Sequence, residues 1–213
     1  NYMKPKSKFM KSILSFTFFF VGCLLVSSQD IHIPADTTVI TNHSTTIKGQ
    51  KISYTATTGT QPVWDKDGKA IATLYYTYYK RSNAGASANR PLVISFNGGP
   101  GSASVWMHVA YTGPKVLKID EEGYPLQPYG VKDNEHSILD IADIVYVNPV
   151  NTGYSRTITA EGEKVKKETF FGINADIKYL AGWLNTFVNR HNRWLSPKYL
   201  IGESYGGTRV SGL

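Results

Sequence analysis

Cysteine is almost missing from this 213-residue chain: Cys23 is the only one. It lies in an apolar run near the N-terminus, so the rest of the chain must hold together by core packing, without disulfides or a thiolate metal site. Histidine is scarce too. His32, His43, His108, His136 and His191 never fall at His-x-x-x-His spacing, so no zinc motif is present and neither metal nor cofactor is expected. Acid is absent from the first 29 residues, where Lys4, Lys6, Lys8 and Lys11 supply much of the net charge of +7. Beyond residue 29, 19 basic residues face 16 acidic ones. That mild excess, with no Lys/Arg stripe or RNA-binding aromatic signature, argues against nucleic-acid binding. No internal repeat or domain linker is evident.

What is present begins with a targeting signal. A cationic stretch is followed by the apolar run from Ile13 to Val26 and then by Ser27 and Ser28 before Gln29. This predicts a signal peptide over residues 1–28 and an exported protein, periplasmic or secreted. A membrane anchor is the competing reading, but fourteen helical residues reach only about 21 Å against a ~30 Å hydrocarbon core. No stable anchor is expected after cleavage. Lipidation at Cys23 is a weaker alternative. Asn42-His43-Ser44 is a glycosylation sequon that otherwise reads as a polar turn.

Residues 29–213 read as one α/β unit. Ile47 to Thr55 and Ala70 to Tyr79 alternate like strands, and Asp67-Gly68 marks a hairpin, so an antiparallel N-terminal edge is expected. Leu92 to Phe96 is a buried strand opening onto Asn97-Gly98-Gly99-Pro100-Gly101, and Ile141 to Val147 is a second. SNAGASAN (82–89) reads as a polar loop, and the charge run EGEKVKKE (161–168) as a solvated loop or a first helical turn. Ile173, Ile177, Leu180, Ala181, Leu184, Phe187, Val188 and His191 follow helical spacing, and Ser196-Pro197 stops that helix before the strand Tyr199 to Ile201. Strand, helix, strand in this order implies a mostly parallel sheet.

The last of these strands runs into Gly202-Glu203-Ser204-Tyr205-Gly206-Gly207, a G-x-S-x-G elbow. A serine thrust out on so tight a turn leaves no room for a Cβ two residues to either side. Composition alone gives this motif in about one of fourteen chains of this length, so the motif by itself is weak. The glycine-rich loop at 97–101 strengthens it. Acyl transfer through serine creates an oxyanion that needs two backbone N–H donors, one after the nucleophile and one from such a loop. Ser204 is thus the candidate nucleophile, with Gly99 and Tyr205 as donors. A phosphate cradle is disfavoured, because the loop lacks the Lys-Ser/Thr pair and the G-x-G-x-x-G opening.

Together, Phe96 to Ser104, Gly113-Pro114, Asn148 to Ser155 and Gly202 to Gly207 resemble the serine carboxypeptidases, exopeptidases with the α/β-hydrolase fold. The resemblance runs from about Tyr75 onward. It implies release of C-terminal residues from peptide substrates through an acyl-enzyme, with Asn97, Gly98 and Glu203 holding the substrate's terminal carboxylate. A carboxyl group facing that carboxylate favours a shared proton, so binding should weaken as pH rises. The family's loop commonly has tryptophan where this chain has Ser95, and cysteine where it has Ser102, which suggests a bacterial-type member. The triad order is Ser, Asp/Glu, His, and no histidine follows Ser204, so the sequence reads as the N-terminal part of the catalytic domain, inactive alone. Two alternatives stay open: an esterase or acyltransferase of the same fold, or a non-catalytic secreted binding domain.

Overall fold

The computed structural model describes residues 34–85, 90–159 and 166–213. The expected signal segment and parts of the 82–89 and 161–168 loops lie outside these residues. Seven strands form one sheet: β1 (Thr37–Ile47), β2 (Gln50–Trp64), β3 (Ala70–Arg81), β4 (Leu92–Phe96), β7 (Asp143–Val147), β8 (Arg156–Thr157) and β9 (Lys198–Gly202). Their spatial order is β1-β2-β3-β7-β4-β9, with β8 paired to β3. β5 (Lys115–Leu117) and β6 (Val131–Asp133) make a separate antiparallel pair.

The N-terminal part of the sheet is antiparallel and the C-terminal part parallel. β1, β2 and β3 pair antiparallel in succession, and β3 meets β7 the same way. β4 then lies parallel between β7 and β9, with Ser95 opposite both Tyr146 and Ile201. Asp67-Gly68 does belong to a hairpin turn, where Asp65 Oδ1 accepts from the Asp67 and Lys69 amides and Gly68 takes φ 76°.

Several strand boundaries differ from the expectation: β1 begins at Thr37, and β2 runs on to Trp64 instead of stopping at Thr55. Ile47 ends β1 rather than starting β2, because Lys48 and Gly49 both take positive φ, 49° and 75°, and reverse the chain there. A two-residue turn of this hand matches strand twist, but it carries lysine in place of the usual Asn or Asp. β7 starts at Asp143, since Ile138–Asp140 is a short 3-10 turn and Ile141 is exposed.

Side-chain alternation puts cores on both faces of the sheet. Leu92, Ile94 and Phe96 join Val145 and Val147 on one face, against Leu180, Trp183 and Phe187 of α1 (Ile173–Arg190). Val93, Ile144 and Tyr146 point to the other, against Ile47, Ile52, Met107 and Leu139. Each fully buried Leu, Ile or Phe contributes on the order of 1.5–3 kcal/mol. The α1 stripe is turned slightly from the predicted one. Ile173 and Ala181 are exposed, whereas Asp176, Tyr179 and Trp183 are buried. Reciprocal bonds fix that rotation: Trp183 Nε1 donates to Gln61 O at 3.1 Å and Gln61 Nε2 donates to Trp183 O at 2.9 Å. Hydropathy alone undervalues a tryptophan whose polar atom is satisfied by a distant strand.

Two histidines make the fold sensitive to acid. His108 stacks on Tyr146 and shares a 2.6 Å hydrogen bond with Tyr79 Oη, and burial pulls its pKa down to about 4. His191 sits among the rings of Tyr76, Tyr78 and Phe187 and is lowered to about 4, first by burial and then by Arg190, Arg193 and Lys80. An unfolded histidine titrates near 6.5, so the unfolded chain binds more protons than the folded one between pH 6.5 and 4. Stability is therefore fully present above about pH 6.5 and falls as pH drops toward 4. After allowing for the rings' residual exposure, a loss of order 1–2 kcal/mol per ring is expected. Urea titrations at pH 7 and pH 4.5 check this, and His108→Asn with His191→Asn should flatten the difference.

Candidate active site

The C-terminal ends of β4 and β9 bring the two glycine-bearing segments together. Phe96 pairs with Gly202 across the strands, and Glu203 N donates to Phe96 O at 3.2 Å. Between β9 and α2 (Tyr205–Gly212), Ser204 takes φ 55° and ψ −126°, a conformation costly for a residue with a Cβ. Ser204 is exposed at this bend.

Both elbow glycines are required sterically. A Cβ on Gly202 would come within 2.2 Å of Gly206 O, and one on Gly206 within 2.8 Å of Phe96 O. The second glycine is thus demanded by the neighbouring strand as much as by the turn. Gly98 presses on the bend from the neighbouring loop: a Cβ there would meet Tyr205 N at 2.6 Å, Ser204 Cβ at 2.7 Å and Glu203 O at 2.8 Å. The glycine-rich loop therefore lies directly against Ser204 and Tyr205.

Asn97 knits this contact together while almost fully buried. Its Nδ2 donates to Glu203 Oε2 at 3.1 Å, its Oδ1 accepts from Met107 N at 3.0 Å, and its own N donates to Ser104 Oγ at 3.3 Å. Gly98 O accepts from Ser102 N at 3.2 Å. Because a trans amide points its N–H opposite to its C=O, that bond fixes the direction of the Gly99 N–H. Gly99 itself has φ 108°.

The Asn148 to Ser155 motif braces the loop from the side. Asn148 Oδ1 accepts from Ser104 N at 2.9 Å, Ser104 Oγ donates to Val147 O at 2.5 Å, and Ser155 Oγ donates to Asn148 O at 2.7 Å. A Cβ on Gly153 would lie 2.4 Å from Asn148 Nδ2, so the Asn148 side chain packs directly over this glycine. Ser95 is wholly buried on β4, and its Oγ has no hydrogen-bond partner among the described residues.

Three residues close to the bend carry no motif that marks them in the sequence. Arg209 and Asp176 form a buried ion pair, Nε to Oδ2 at 2.8 Å, and Tyr179 Oη donates to Asp176 Oδ1 at 2.8 Å. Asp176 interrupts the apolar face of α1, which is the one available signal. Beside them opens a cavity of about 520 Å³ lined in part by Pro100, Phe170, Phe171, Ile173 and Tyr205. A larger cavity of about 800 Å³ under the β5–β6 pair shares no lining residue with the elbow. Among the described residues no helix is long and apolar enough to cross a membrane.

Comparison with known proteins agrees with this architecture. The chain is 28% identical over 151 residues to the pheromone-processing carboxypeptidase KEX1 of Saccharomyces cerevisiae, covering 68% of this chain and 20% of that protein. It is 30% identical over 145 residues to the vitellogenic carboxypeptidase of Aedes aegypti, covering 68% and 28%. The crystal structure of a prohormone-processing carboxypeptidase from Saccharomyces cerevisiae, KEX1(delta)p, superposes with a TM-score of 0.58 at 22% identity over 76% of this chain and 33% of that one, which shows a shared fold. The chain thus spans a fifth to a third of the length of these relatives. The model of the serine carboxypeptidase family matches residues 49–213, more than three quarters of the sequence, and the chain belongs to that family.

Proposed function

We propose that the full-length gene product is an exported serine carboxypeptidase that releases C-terminal residues from peptides. Ser204 Oγ attacks the carbonyl of the last peptide bond, the bond to the departing residue breaks, and an acyl-enzyme forms that water then hydrolyses. The amides of Tyr205 and Gly99 hold the oxyanion of each tetrahedral intermediate, and Asn97, Gly98 and Glu203 hold the free carboxylate of the departing residue. The observation that supports this reading is the close approach of Gly98 to Ser204 Cβ and Tyr205 N, which lays the glycine-rich loop against the elbow. The Asn97–Glu203 hydrogen bond supports a shared role for those two residues at the carboxylate.

The test uses the full-length product with peptides ending in a free carboxylate, the same peptides ending in an amide, and short esters. Free-carboxylate peptides should be cleaved in preference to the amides, with Ser204→Ala lowering kcat by at least ~10⁴-fold. A fluorophosphonate should label the wild type and leave Ser204→Ala unlabelled. Ester cleavage with no preference for a free carboxylate identifies an esterase, and failure of any substrate or label to depend on Ser204 refutes the hydrolase reading.

A further inference from the structure

One guanidinium touches both halves of the site. Arg209 projects from α2 and is 2% exposed. Its Nη1 donates to Asn97 O at 2.8 Å, while its Cζ lies 4.9 Å from the centre of the Tyr205 ring. Asn97 O belongs to the amide whose N–H is that of Gly98, so gripping it sets the plane at which the glycine-rich loop leaves β4. Tyr205 is the residue that follows Ser204. Arg209 is therefore bonded to the loop on one side and stacked on the elbow on the other.

The guanidinium is anchored in turn. Asp176 Oδ2 accepts from its Nε at 2.8 Å, and Asp176 Oδ1 accepts from Tyr179 Oη at 2.8 Å. Tyr179 Oη accepts from Val150 N at 3.2 Å, which ties the chain to the Asn148 to Ser155 turn that braces Ser104. A buried ion pair in a low-dielectric interior is expensive to form and weak evidence of stability on its own, but its geometry is sharply defined. Arginine suits this place because its planar fork donates in two directions at once, whereas a lysine ammonium reaching Asp176 cannot also reproduce the bond to Asn97 O.

We propose that Arg209, held by Asp176 and Tyr179, is a positioning residue for the oxyanion donors: it fixes the Asn97–Gly98 amide plane relative to Tyr205 without itself touching substrate. This rests on the reading of Ser204 as nucleophile. A displacement near 1 Å at the reacting centre can cost about 10²-fold, so loosening this tie should appear in the chemical step and spare ground-state binding.

The experiment is done on the full-length enzyme after Ser204→Ala has been shown to abolish turnover, so that a failed functional reading is seen first and separately. Arg209→Lys and Asp176→Asn are then compared with the wild type, with rates normalised to sites titrated by fluorophosphonate so that misfolded protein does not count. Arg209→Lys should lower kcat at least about tenfold with KM within about twofold, and should weaken a peptidyl trifluoromethyl ketone, which forms the tetrahedral oxyanion, by the same factor. Asp176→Asn should shift the same two quantities in the same direction by less. A normal kcat per titrated site in Arg209→Lys, or in Asp176→Asn if the former does not fold, overturns the proposal, as does an equal loss expressed in KM with no change in analogue affinity.

Discussion

Gly98→Ala is expected to reduce kcat by about 10²–10³-fold or more in the full-length enzyme, an effect comparable to deleting an oxyanion donor outright. The added methyl would have to occupy space 2.6 Å from Tyr205 N, 2.7 Å from Ser204 Cβ and 2.8 Å from Glu203 O. Two of these are main-chain atoms and the third is the first atom of the Ser204 side chain, so no flexible tip can swing away. Either the loop lifts or the elbow shifts, and both separate the amides that the proposed mechanism requires near one point. Gly182→Ala provides the control. It lies in the middle of α1, where an added methyl would meet no atom within 4 Å, so it should leave kcat unchanged and raise stability by roughly 0.5–1 kcal/mol. Steady-state kinetics with fluorophosphonate titration reads the first, and thermal melting the second. A Gly98→Ala enzyme with kcat within a few-fold of wild type would mean that the close contact has no catalytic consequence.

The largest expected loss of stability belongs to the opposite end of the sheet. Asp143 opens β7 and is fully buried. Its Oδ1 accepts from Arg90 Nε at 2.7 Å and from Arg81 N at 2.9 Å, and its Oδ2 accepts from Arg193 Nη1. Arg193 is itself fully buried and reaches Ser196 Oγ, Tyr78 Oη and Arg90 O. One carboxylate thus fastens the end of β3, the start of β4, the start of β7 and the turn after α1. Asp143→Ala would strand two poorly solvated guanidinium groups, which costs about 3–5 kcal/mol. For a domain of this size that corresponds to a fall in Tm of roughly 6–20 °C. Asp143→Asn should fall between wild type and Asp143→Ala, since it keeps an acceptor and loses the charge. Asp36, whose pair with Arg190 is more exposed, should cost at most about 1 kcal/mol when replaced by alanine. Equal melting temperatures for Asp143→Ala and Asp36→Ala would contradict this account.

Much of the candidate site's backbone arrangement was legible because its constraints are local. Gly202, Gly206 and Gly98 can be nothing larger where the backbone passes so close, and steric exclusion leaves its mark on residue type at fixed spacing. The apolar runs of β4 and β7 were equally plain, since a strand covered on both faces carries hydrophobic residues at most of its positions. The first strand was harder. β1 is exposed at its first eight positions, so Thr37 to Ser44 carry no buried alternation, and the pairing with β2 that makes them a strand lies across a turn without the usual glycine-preceding Asn or Asp.

By itself, the amino-acid order determined the strand-to-helix elbow, the glycine loop before it and the family to which both belong, because each depends on contacts within a few residues or on a steric demand at one position. Only the tertiary structure decided which of many charged groups meet: Arg209 with Asp176 and the Asn97 carbonyl, and Arg90 and Arg193 with Asp143. The physical reason is that a charge in the sequence looks the same whether water or a carboxylate surrounds it. Its partner is chosen by where distant strands and helices come to rest, and its cost and its value arise only once they have excluded the solvent.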